Sequence, residues 1–368
     1  MAKKKNRNIE TLKKIESLGK DVAQLCLKKR DPYFVIPSRT RSNVAFNTKK
    51  KIIEMGSNTQ KRQLFNLNQA KKFMQTLLVA AACKELLSQG KTTSIRDIFY
   101  HCKHTIEGTK ENTFDEQSES DPIIEDLEVT LEALREDLGL YAEPKGNMVG
   151  PLVIRDNGDR IDLSKVGSGG WGVPSIVENH TVEFLKNEAE YVLLIEKGAV
   201  WRRFNEDRYW EKHKCLIIHG GGQPPRGVRR LVYRLHNELK LPVYVLVDND
   251  PWGYYIYSVV KQGSINLAFE SQRMAVPAAR FIGMSSFDRE RFGISSNVTI
   301  KLTPQDERRA KEIMEYPWFA HKREWQYEIQ YMLKQKVKLE LEALSNKDFS
   351  FITEEYLPKK IRDKMWLD

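Results

Sequence analysis

The sequence has few cysteines, no long apolar run and no nucleotide-binding loop, and each absence excludes a class of protein. Its four cysteines are scattered and form no CxxC pair, which argues against a zinc ribbon and favours a reduced, intracellular setting. No apolar stretch approaches the ~18–20 residues of a membrane span, so we expect no membrane partner. The first residues lack the apolar core of a secretory signal. Neither glycine-rich stretch, 167–172 or 220–222, ends in the Lys-Ser/Thr of a P-loop, so we expect no ATP site.

The positive charge of the chain lies at one end. The net charge is +10 at pH 7, and residues 1–68 hold 17 Lys/Arg but five Asp/Glu. A basic segment attracts polyanions, with nucleic acid first among them. We therefore expect residues 1–68 to form a basic N-terminal arm that contacts DNA or a partner, mostly extended, with one amphipathic helix over 9–27. A solvated tail that only aids solubility is the alternative.

Residues 69–163 have the pattern of a winged-helix domain. A strong helical pattern over 70–87 is followed by a second helix that begins at Ile95, a helix–turn–helix spacing. An acidic, amphipathic pattern over 123–138 predicts a third helix. Asn157-Gly158 then lies between two strand-like runs, which is the best short hairpin signal. Three helices followed by a hairpin predict a winged helix.

The second half of the chain alternates strand and helix. Such alternation over 185–300 predicts a doubly wound, mostly parallel sheet in an α/β domain. Residues 164–187, with their glycine-rich stretch, are predicted to be a linker, and residues 188–368 the α/β domain with C-terminal helices. The predicted strands are 191–195, 215–219, 243–247, near 264–269 and near 280–284; the predicted helices are about 199–211, 226–239 and 252–261.

Three carboxylates follow two of these predicted strands. Glu196 closes one apolar run, and Asp248 and Asp250 close another. In an open parallel sheet, ligands gather outside the carboxyl ends of the strands. Carboxylates that meet there would repel each other unless a cation lay between them, and Mg²⁺ is bound through one or two carboxylates plus substrate phosphates. The alternative is a helix N-cap and a solvated turn.

A tyrosine and an arginine share one face of the predicted second helix. Tyr100 lies four residues after Arg96. A phenol is a poor nucleophile unaided, but a neighbouring guanidinium favours the phenolate and stabilises charge on a pentavalent phosphate. Tyrosine is one of the residues that form covalent intermediates. The alternative is that Tyr100 is a packing residue of an amphipathic helix.

Basic side chains near the acidic edge are candidates for DNA contact. Lys197 could instead be a solvated lysine and His219 a buried strand-end histidine. The three arginines of the predicted helix 226–239 could instead form its exposed face. The candidates are Lys197, His219, Arg226, Arg229 and Arg230.

The two motifs together resemble the family of the A subunit of archaeal topoisomerase VI, whose architecture is shared with the meiotic double-strand-break transesterase. In that family a winged helix with a reactive tyrosine precedes a Toprim domain. The resemblance runs from about residue 69 to the C-terminus, and Phe99 stands where many relatives carry a second tyrosine. The stretches that carry it are Arg96–Tyr100, Gly169–Pro174, Ile195–Ala199, His219–Pro224 and Val247–Gly253.

The resemblance implies the DNA-cleaving subunit of an ATP-dependent type IIB topoisomerase, which breaks both strands, passes a duplex and reseals. Tyr100 would be the nucleophile that forms a 5′-phosphotyrosyl link, with Arg96 as its catalytic neighbour. Mg²⁺ would lie at Asp248 and Asp250, with Glu196 a ligand or an acid/base group.

The same resemblance implies the partners and the location. These are double-stranded DNA, a second copy of the chain in a homodimer, and an ATPase B subunit in an A2B2 heterotetramer in the cytoplasm, at the nucleoid. A break-forming transesterase, a Toprim nuclease that uses water and a DNA-binding architectural protein are the alternatives.

Overall fold

The computed structural model describes residues 2–368, with side chains from Ile9 onward, and it divides into two compact units. The first unit comprises the chain up to Val44 together with Met55–Glu143. The second comprises Ala45–Glu54 and Pro144–Asp368. None of the helices within the described residues is long and apolar enough to cross a bilayer.

The first unit is mainly helical. Strand β1 pairs antiparallel with β4, and β5 runs parallel to β6. Strand β2 pairs with β3, and residues 45–54 of this pair belong to the second unit. In chain order the elements up to residue 143 are α1 (Ala2–Leu27), β1 (Tyr33–Pro37), a 3₁₀ turn (Arg41–Asn43), β2 (Val44–Asn47), β3 (Ile52–Met55), β4 (Thr59–Gln63), α2 (Ala70–Gln89), β5 (Thr93–Ser94), α3 (Ile95–Cys102), α4 (Gln117–Thr130) and β6 (Leu140–Tyr141).

The basic N-terminal segment is folded, which corrects the expectation of a mostly extended arm. Ile15 on α1 is buried in the same apolar cluster as Val79 on α2. The ring of Phe34 on β1 stacks on that of Phe73 on α2, with centroids 4.5 Å apart. The apolar residues of α1 and β1 therefore form part of the core of the first unit.

The helix–turn–helix spacing predicted from the sequence is present. Helix α2 ends at Gly90, whose φ of +66° is the left-handed conformation typical of a helix C-cap. Helix α3 begins with a capping box: Asp97 N–H donates to Ser94 Oγ at 3.0 Å, and Ser94 N–H donates back to the Asp97 carboxylate. This cap fixes the start of α3, and with it the face on which Arg96 and Tyr100 lie.

The third predicted helix is displaced toward the N-terminus. Helix α4 spans Gln117–Thr130, whereas the sequence predicted 123–138. Glu132 has a φ of +47°, outside the right-handed helical region, and the chain turns there toward β6. The acidic, amphipathic pattern indicated a helix but not the residue at which it stops.

The second unit is built around a six-stranded mixed sheet. In chain order its elements are β7 (Asn147–Val149), β8 (Leu152–Asp156), β9 (Asp159–Asp162), β10 (Trp171–Gly172), β11 (Val182–Asn187), β12 (Tyr191–Ile195), α5 (Gly198–Glu206), α6 (Tyr209–Lys212), β13 (Cys215–His219), α7 (Arg226–Leu239), β14 (Val243–Leu246), α8 (Pro251–Gln262), a 3₁₀ turn (Ala268–Glu270), α9 (Ser271–Met274), β15 (Arg280–Gly283), α10 (Asp288–Arg291), a 3₁₀ turn (Ser296–Val298), β16 (Ile300–Lys301), α11 (Pro304–Glu315), α12 (Pro317–Ala320), α13 (Arg323–Gln335), β17 (Val337–Lys338), a 3₁₀ helix (Leu341–Asn346), a π-helical turn (Ile352–Tyr356) and α14 (Leu357–Arg362).

The order of strands in this sheet is β10-β7-β13-β12-β14-β15. Strands β12, β13, β14 and β15 run parallel to one another, β7 is antiparallel to β13, and β10 is antiparallel to β7. This confirms the predicted α/β fold with a mostly parallel sheet. The strand expected near 264–269 is absent: a 3₁₀ turn and α9 lie there, and Glu270 is buried against arginines.

The Asn-Gly hairpin is present but belongs to the second unit. Asn157 and Gly158 have φ values of +48° and +106°, and Asp156 pairs with Asp159 across the turn. Strand β8 also pairs with β11, which makes a three-stranded antiparallel sheet. The hairpin is therefore not a wing of the helical unit, and the predicted domain boundary at residue 163 is wrong.

The stretch predicted to be a glycine-rich linker, 164–187, is also part of the second unit. It contains β10 and β11, and its loop packs closely on α5. Asn205 Nδ2 donates to the Ser168 carbonyl at 3.1 Å. A Cβ added at Gly170 would lie 2.8 Å from the Trp201 indole. The glycines permit this close approach of backbone to side chain.

Candidate active site

Glu196 and Asp248 meet at the carboxyl edge of the parallel sheet, as the sequence predicted. All five residues of β12 are buried, and β12 pairs in register with β14. Glu196 follows β12 directly, and its N–H donates to the Leu246 carbonyl at 2.9 Å. Its side-chain Oε2 accepts a hydrogen bond from Asp248 N–H at 3.0 Å. The parallel pairing of β12 and β14 thus brings together two carboxylates that are 52 positions apart.

The carboxylates at this edge repel one another. Burial, and then the neighbouring charge of Asp248, raises the pKa of Glu196 to about 7. Burial also raises the pKa of Asp248 and that of Asp250. Desolvation and like charge both disfavour the ionised form of a carboxyl group. A cation placed here would relieve both penalties.

Hydrogen bonds hold the Asp-Asn-Asp turn in place. Asp250 caps α8, with its Oδ1 accepting from Gly253 N–H at 2.6 Å. Asn249 is buried, and its Nδ2 donates to Tyr254 Oη at 2.7 Å. Tyr254 in turn donates to the buried carboxylate of Glu328 at 2.7 Å. The helix N-cap that was the alternative for Asp250 is therefore present. The buried hydrogen bonds of Asn249 and Tyr254 hold the turn in position.

The side chain of Lys197 is not solvated, because it pairs with three carboxylates. Its Nζ lies 2.8 Å from Asp248 Oδ2, 2.8 Å from Glu342 Oε2 and 3.1 Å from Glu340 Oε2. Burial lowers the pKa of Lys197, but its hydrogen bonds to Asp248 and Glu342 outweigh burial and raise that pKa above its usual range. Lys197 is therefore a charged member of the acidic edge.

The donor set at the edge fits a hard cation. Among the described residues, no three His, Cys, Asp or Glu side chains already stand as ligands of one metal ion. Asp248 pairs with Lys197, and Asp250 caps its helix. Burial raises the pKa of all three carboxyl groups, and carboxylate oxygens are the ligands that Mg²⁺ takes. Glu196, Asp248 and Asp250 are the residues that would hold it.

In the first unit, Tyr100 is exposed rather than packed. Its side chain is 59% exposed, whereas the adjacent Phe99 is buried and makes edge contact with Phe114. Helix α3 thus buries the phenylalanine and presents the tyrosine to solvent. Arg96, one turn before Tyr100, is exposed as well. The packing role offered as the alternative for Tyr100 does not hold.

His219 has the contacts of a structural strand-end histidine. Its Nε2 lies 3.2 Å from Asn147 Oδ1, and its ring packs on Trp201 with centroids 5.1 Å apart. Burial, followed by the charge of Lys145, lowers the pKa of His219. A neutral, half-buried imidazole is a weak partner for phosphate.

The three arginines of α7 are engaged inside the second unit, which corrects the expectation that they line a DNA channel. Arg229 is 5% exposed and lies 3.4 Å from Glu270, which also pairs with Arg226. Arg230 forms a two-pronged pair with Glu178, at 2.7 and 2.9 Å. Buried acids that need partners, Glu270 and Glu178, explain why the basic face of this helix points inward.

Sequence reasoning missed the segment around Leu341 at this edge. Leu341 N–H donates to Asp248 Oδ1 at 2.8 Å, and Glu340 and Glu342 flank it. Leu339 exchanges both backbone hydrogen bonds with Asn249, at 2.9 and 3.2 Å. The segment lies 93 positions from Asp248 in a stretch with an ordinary Lys/Glu pattern, so no local signal could have found it.

A mostly parallel sheet whose carboxyl edge carries a glutamate after one strand and an Asp-x-Asp after the next defines the Toprim class of domain. Family comparisons agree and divide the chain in three. A Toprim-domain profile for Spo11 and the A subunit of topoisomerase 6 matches residues 191–361, and one described as "Type IIB DNA topoisomerase" matches 71–140. A third, "All-beta domain in DNA topoisomerase VI alpha subunit", matches 143–188, the region of the three-stranded sheet.

Full-length relatives identify the family. The chain is 43% identical over 364 residues to the A subunit of type 2 DNA topoisomerase 6 of Pyrococcus horikoshii, covering 96% of this chain and 94% of that one. It is 41% identical over 378 residues to that of Aeropyrum pernix, covering 97% and 94%. It is 31% identical over 353 residues to the A subunit of DNA topoisomerase 6 of Arabidopsis thaliana, covering 96% and 80%. The chain belongs to the family of topoisomerase VI A subunits, which confirms the predicted resemblance and the type IIB topoisomerase class.

Proposed function

We propose that this chain cleaves double-stranded DNA by transesterification within an ATP-dependent type IIB topoisomerase. The observation that carries the proposal is the contact between Glu196 and Asp248 at the carboxyl edge of the sheet, 3.0 Å from carboxylate oxygen to N–H. The carboxylates of Glu196, Asp248 and Asp250 concentrate negative charge where a cation and a phosphodiester can be held. Membership of the family of topoisomerase VI A subunits supports the same assignment.

Tyr100 is the proposed nucleophile. Its phenolic oxygen forms a bond to the DNA phosphorus, and the bond from that phosphorus to the 3′ oxygen breaks. The phenolic proton is given up and the departing 3′ oxygen takes one, which leaves a 5′-phosphotyrosyl link and a 3′-hydroxyl. One phosphodiester replaces another, so resealing is the reverse step and needs no ATP. The exposure of Tyr100 supports this role, because a nucleophile must reach its substrate.

Arg96 and the acidic edge assist this step. The guanidinium of Arg96, on the same face of α3, would stabilise negative charge on the pentavalent phosphorus centre. Glu196 would serve as a metal ligand or as an acid/base group, and Asp248 and Asp250 would serve as ligands. A magnesium ion bound there would neutralise charge on the transferring phosphate.

The proposal includes the partners that the resemblance implies. Two copies of the chain form a homodimer, and the tyrosine of one protomer acts with the acidic edge of the other, so that a two-fold assembly cuts both strands of a duplex. An ATPase B subunit completes an A2B2 heterotetramer and couples ATP to strand passage. DNA as the substrate places the enzyme at the nucleoid.

The decisive test is the chemistry of the cut. The chain is incubated with its B subunit, ATP, Mg²⁺ and supercoiled plasmid, denatured with detergent, and digested with protease. We expect linear DNA that carries a covalent peptide on its 5′ ends, and mass spectrometry should place the link on Tyr100. Relaxed plasmid should accumulate without denaturation.

Other outcomes separate the alternatives. Cut DNA with free 5′-phosphates and no peptide would indicate a nuclease that uses water. Covalent adducts without relaxation would indicate a break-forming transesterase. A shift of DNA in a gel with no cutting under any condition would indicate an architectural protein and would refute the proposal.

A further inference from the structure

The ammonium group of Lys197 occupies the centre of a ring of carboxylates. A lysine ammonium has three N–H donors, and here each has an acidic partner: Asp248, Glu340 and Glu342, at 2.8 to 3.1 Å. The side chain is 26% exposed, so these contacts are partly shielded from water. All three N–H donors of Lys197 therefore have a carboxylate partner.

Two of those carboxylates come from a segment that is bound tightly to the Asp-Asn-Asp turn. Leu341 N–H holds Asp248 Oδ1, and Leu339 pairs with Asn249 through both backbone groups. Leu341 is buried, whereas Glu340 and Glu342 on either side of it are exposed. The backbone therefore fixes the two glutamates beside Lys197 whether or not the lysine stays.

Lys338, the next cation along this segment, pairs with a different carboxylate. Lys338 lies 3.0 Å from Asp306 Oδ2. Lys197 is the cation in direct contact with Asp248, and it binds the oxygen of Asp248 that Leu341 leaves open.

We propose that Lys197 is the resident counter-ion of the acidic edge, that a divalent cation must displace it from Asp248, and that Glu340 and Glu342 retain its ammonium after the exchange. The inference rests on the metal site of the proposed function. An ammonium 2.8 Å from Asp248 Oδ2 occupies the position from which a metal ion would bind that oxygen, and two cations cannot share it without strong repulsion. Lys197 can withdraw while keeping two of its three partners.

The exchange gives Glu340 and Glu342 a function, because they hold the displaced cation next to the site. There Lys197 can contact the DNA phosphate, which is the role that the sequence first suggested for it.

The test measures metal binding directly, with Mn²⁺ as the probe and no DNA present. Titration calorimetry gives the affinity of the full-length chain, and thermal melting with and without Mg²⁺ gives the rise in Tm on binding. Lys197→Met keeps the length of the side chain and removes the charge. We expect it to bind Mn²⁺ at least about twofold more tightly, the lower end of the coupling between groups in contact. We also expect a lower Tm without metal and a larger rise with Mg²⁺.

A matched control and a second variant complete the design. Lys212→Met also removes one positive charge, from an exposed pair with Glu354 at 3.9 Å, and should leave the affinity unchanged. The double variant Glu340→Gln/Glu342→Gln should weaken Mn²⁺ binding in the wild-type background. It should have a smaller effect in the Lys197→Met background, because the ammonium it acts through is gone. If Lys197→Met fails to fold, Lys197→Gln and the double variant apply the same comparison.

The outcomes distinguish this inference from the proposed function. Unchanged or weaker Mn²⁺ binding by Lys197→Met, with normal binding by the wild type, overturns the counter-ion role and leaves the metal site intact. Equal effects of the double variant in both backgrounds overturn the retention of the ammonium by Glu340 and Glu342. Mn²⁺ binding that is absent from the wild type, or unaffected by Asp248→Asn, removes the metal site itself.

Discussion

Glu196 Oε2 and the backbone N–H of Asp248 lie 3.0 Å apart, although 52 positions of sequence separate them. The contact spans the carboxyl ends of β12 and β14, so the strand pairing decides how far apart the acids lie. Because the acceptor is a side-chain oxygen and the donor is backbone, the contact orients Glu196 without using either oxygen of Asp248. Those oxygens remain for Leu341 and Lys197.

Tyr100→Phe should abolish the covalent adduct and leave the fold and DNA affinity unchanged. The substitution removes one hydroxyl from a ring that is 59% exposed, so neither packing nor charge is altered. We expect cleavage to fall by on the order of 10³-fold or more, as for other essential nucleophiles. Detergent-trapped adducts, thermal melting and gel shifts measure the three properties. Tyr327→Phe, at another exposed tyrosine, is the control, and adduct formation by the Tyr100 variant would exclude this nucleophile.

Gly170→Ala should destabilise the second unit. A Cβ at this position would lie 2.8 and 2.9 Å from two atoms of the Trp201 indole, and the φ of +68° is unfavourable for alanine. We expect a loss of about 1–3 kcal/mol in the free energy of unfolding, measured by urea denaturation. Gly169→Ala next to it meets nothing within 4 Å and should change stability by less than about 0.5 kcal/mol. Equal effects of the two substitutions would mean that the loop does not pack on α5.

Arg229→Met should lower stability without changing the salt dependence of DNA binding. Arg229 is 5% exposed and pairs with the buried Glu270, which keeps Arg226 as a partner. We expect a loss of about 1–3 kcal/mol. The slope of log Kd for DNA against log salt reports phosphate contacts and should be unchanged. A shallower slope would restore Arg229 to the DNA interface. Arg208→Met, in an exposed pair with Glu211, should change neither quantity.

Lys261 should make stability rise with pH in the alkaline range. Burial lowers its pKa from 10.5 to about 8, with the charge of Asp368 opposing the shift. Between these two values the unfolded chain holds the proton that the folded chain has lost, so raising the pH favours the folded state. The penalty of the buried charge is complete below about pH 8 and is relieved as the pH rises toward 10.5.

The measurement compares wild type with Lys261→Met at several pH values. The difference in free energy of unfolding should change in favour of the wild type, by at most about 1.4 kcal/mol per pH unit. A difference that stays flat between pH 8 and 10 would mean that Lys261 titrates as an ordinary lysine.

Several parts of the candidate site were predictable because their signals are local. A short β-branched run ended by a carboxylate indicates a buried strand with an acid at its end, and this placed Glu196 and Asp248 correctly. The Asn157-Gly158 turn and the Ser94 cap were predictable for the same reason, since each depends on a few neighbouring residues. The roles of Tyr100 and the acids in cleavage remain predictions.

The errors arose where the partner of a residue is distant in sequence. The arginines of α7 have the spacing of an exposed basic face, but Glu270 and Glu178, 41 and 52 positions from their partners, draw them inward. The Asn157-Gly158 turn predicts a hairpin but not its unit, because a turn does not determine which sheet its strands join. The charge of the basic N-terminal segment predicts an extended arm, whereas its few apolar residues decide that it folds.

The amino-acid sequence by itself determined the strands that carry the acids, the Asn157-Gly158 turn, and the order in which a tyrosine helix and an acidic α/β domain follow each other. Hydrophobic periodicity and turn chemistry act over a few residues, so they can be read directly from the chain. Only the tertiary structure decided that Lys197 meets Asp248, Glu340 and Glu342, and that Phe99 is buried while Tyr100 is exposed. Ion pairing and burial depend on which distant segments pack together, and no local pattern encodes that choice.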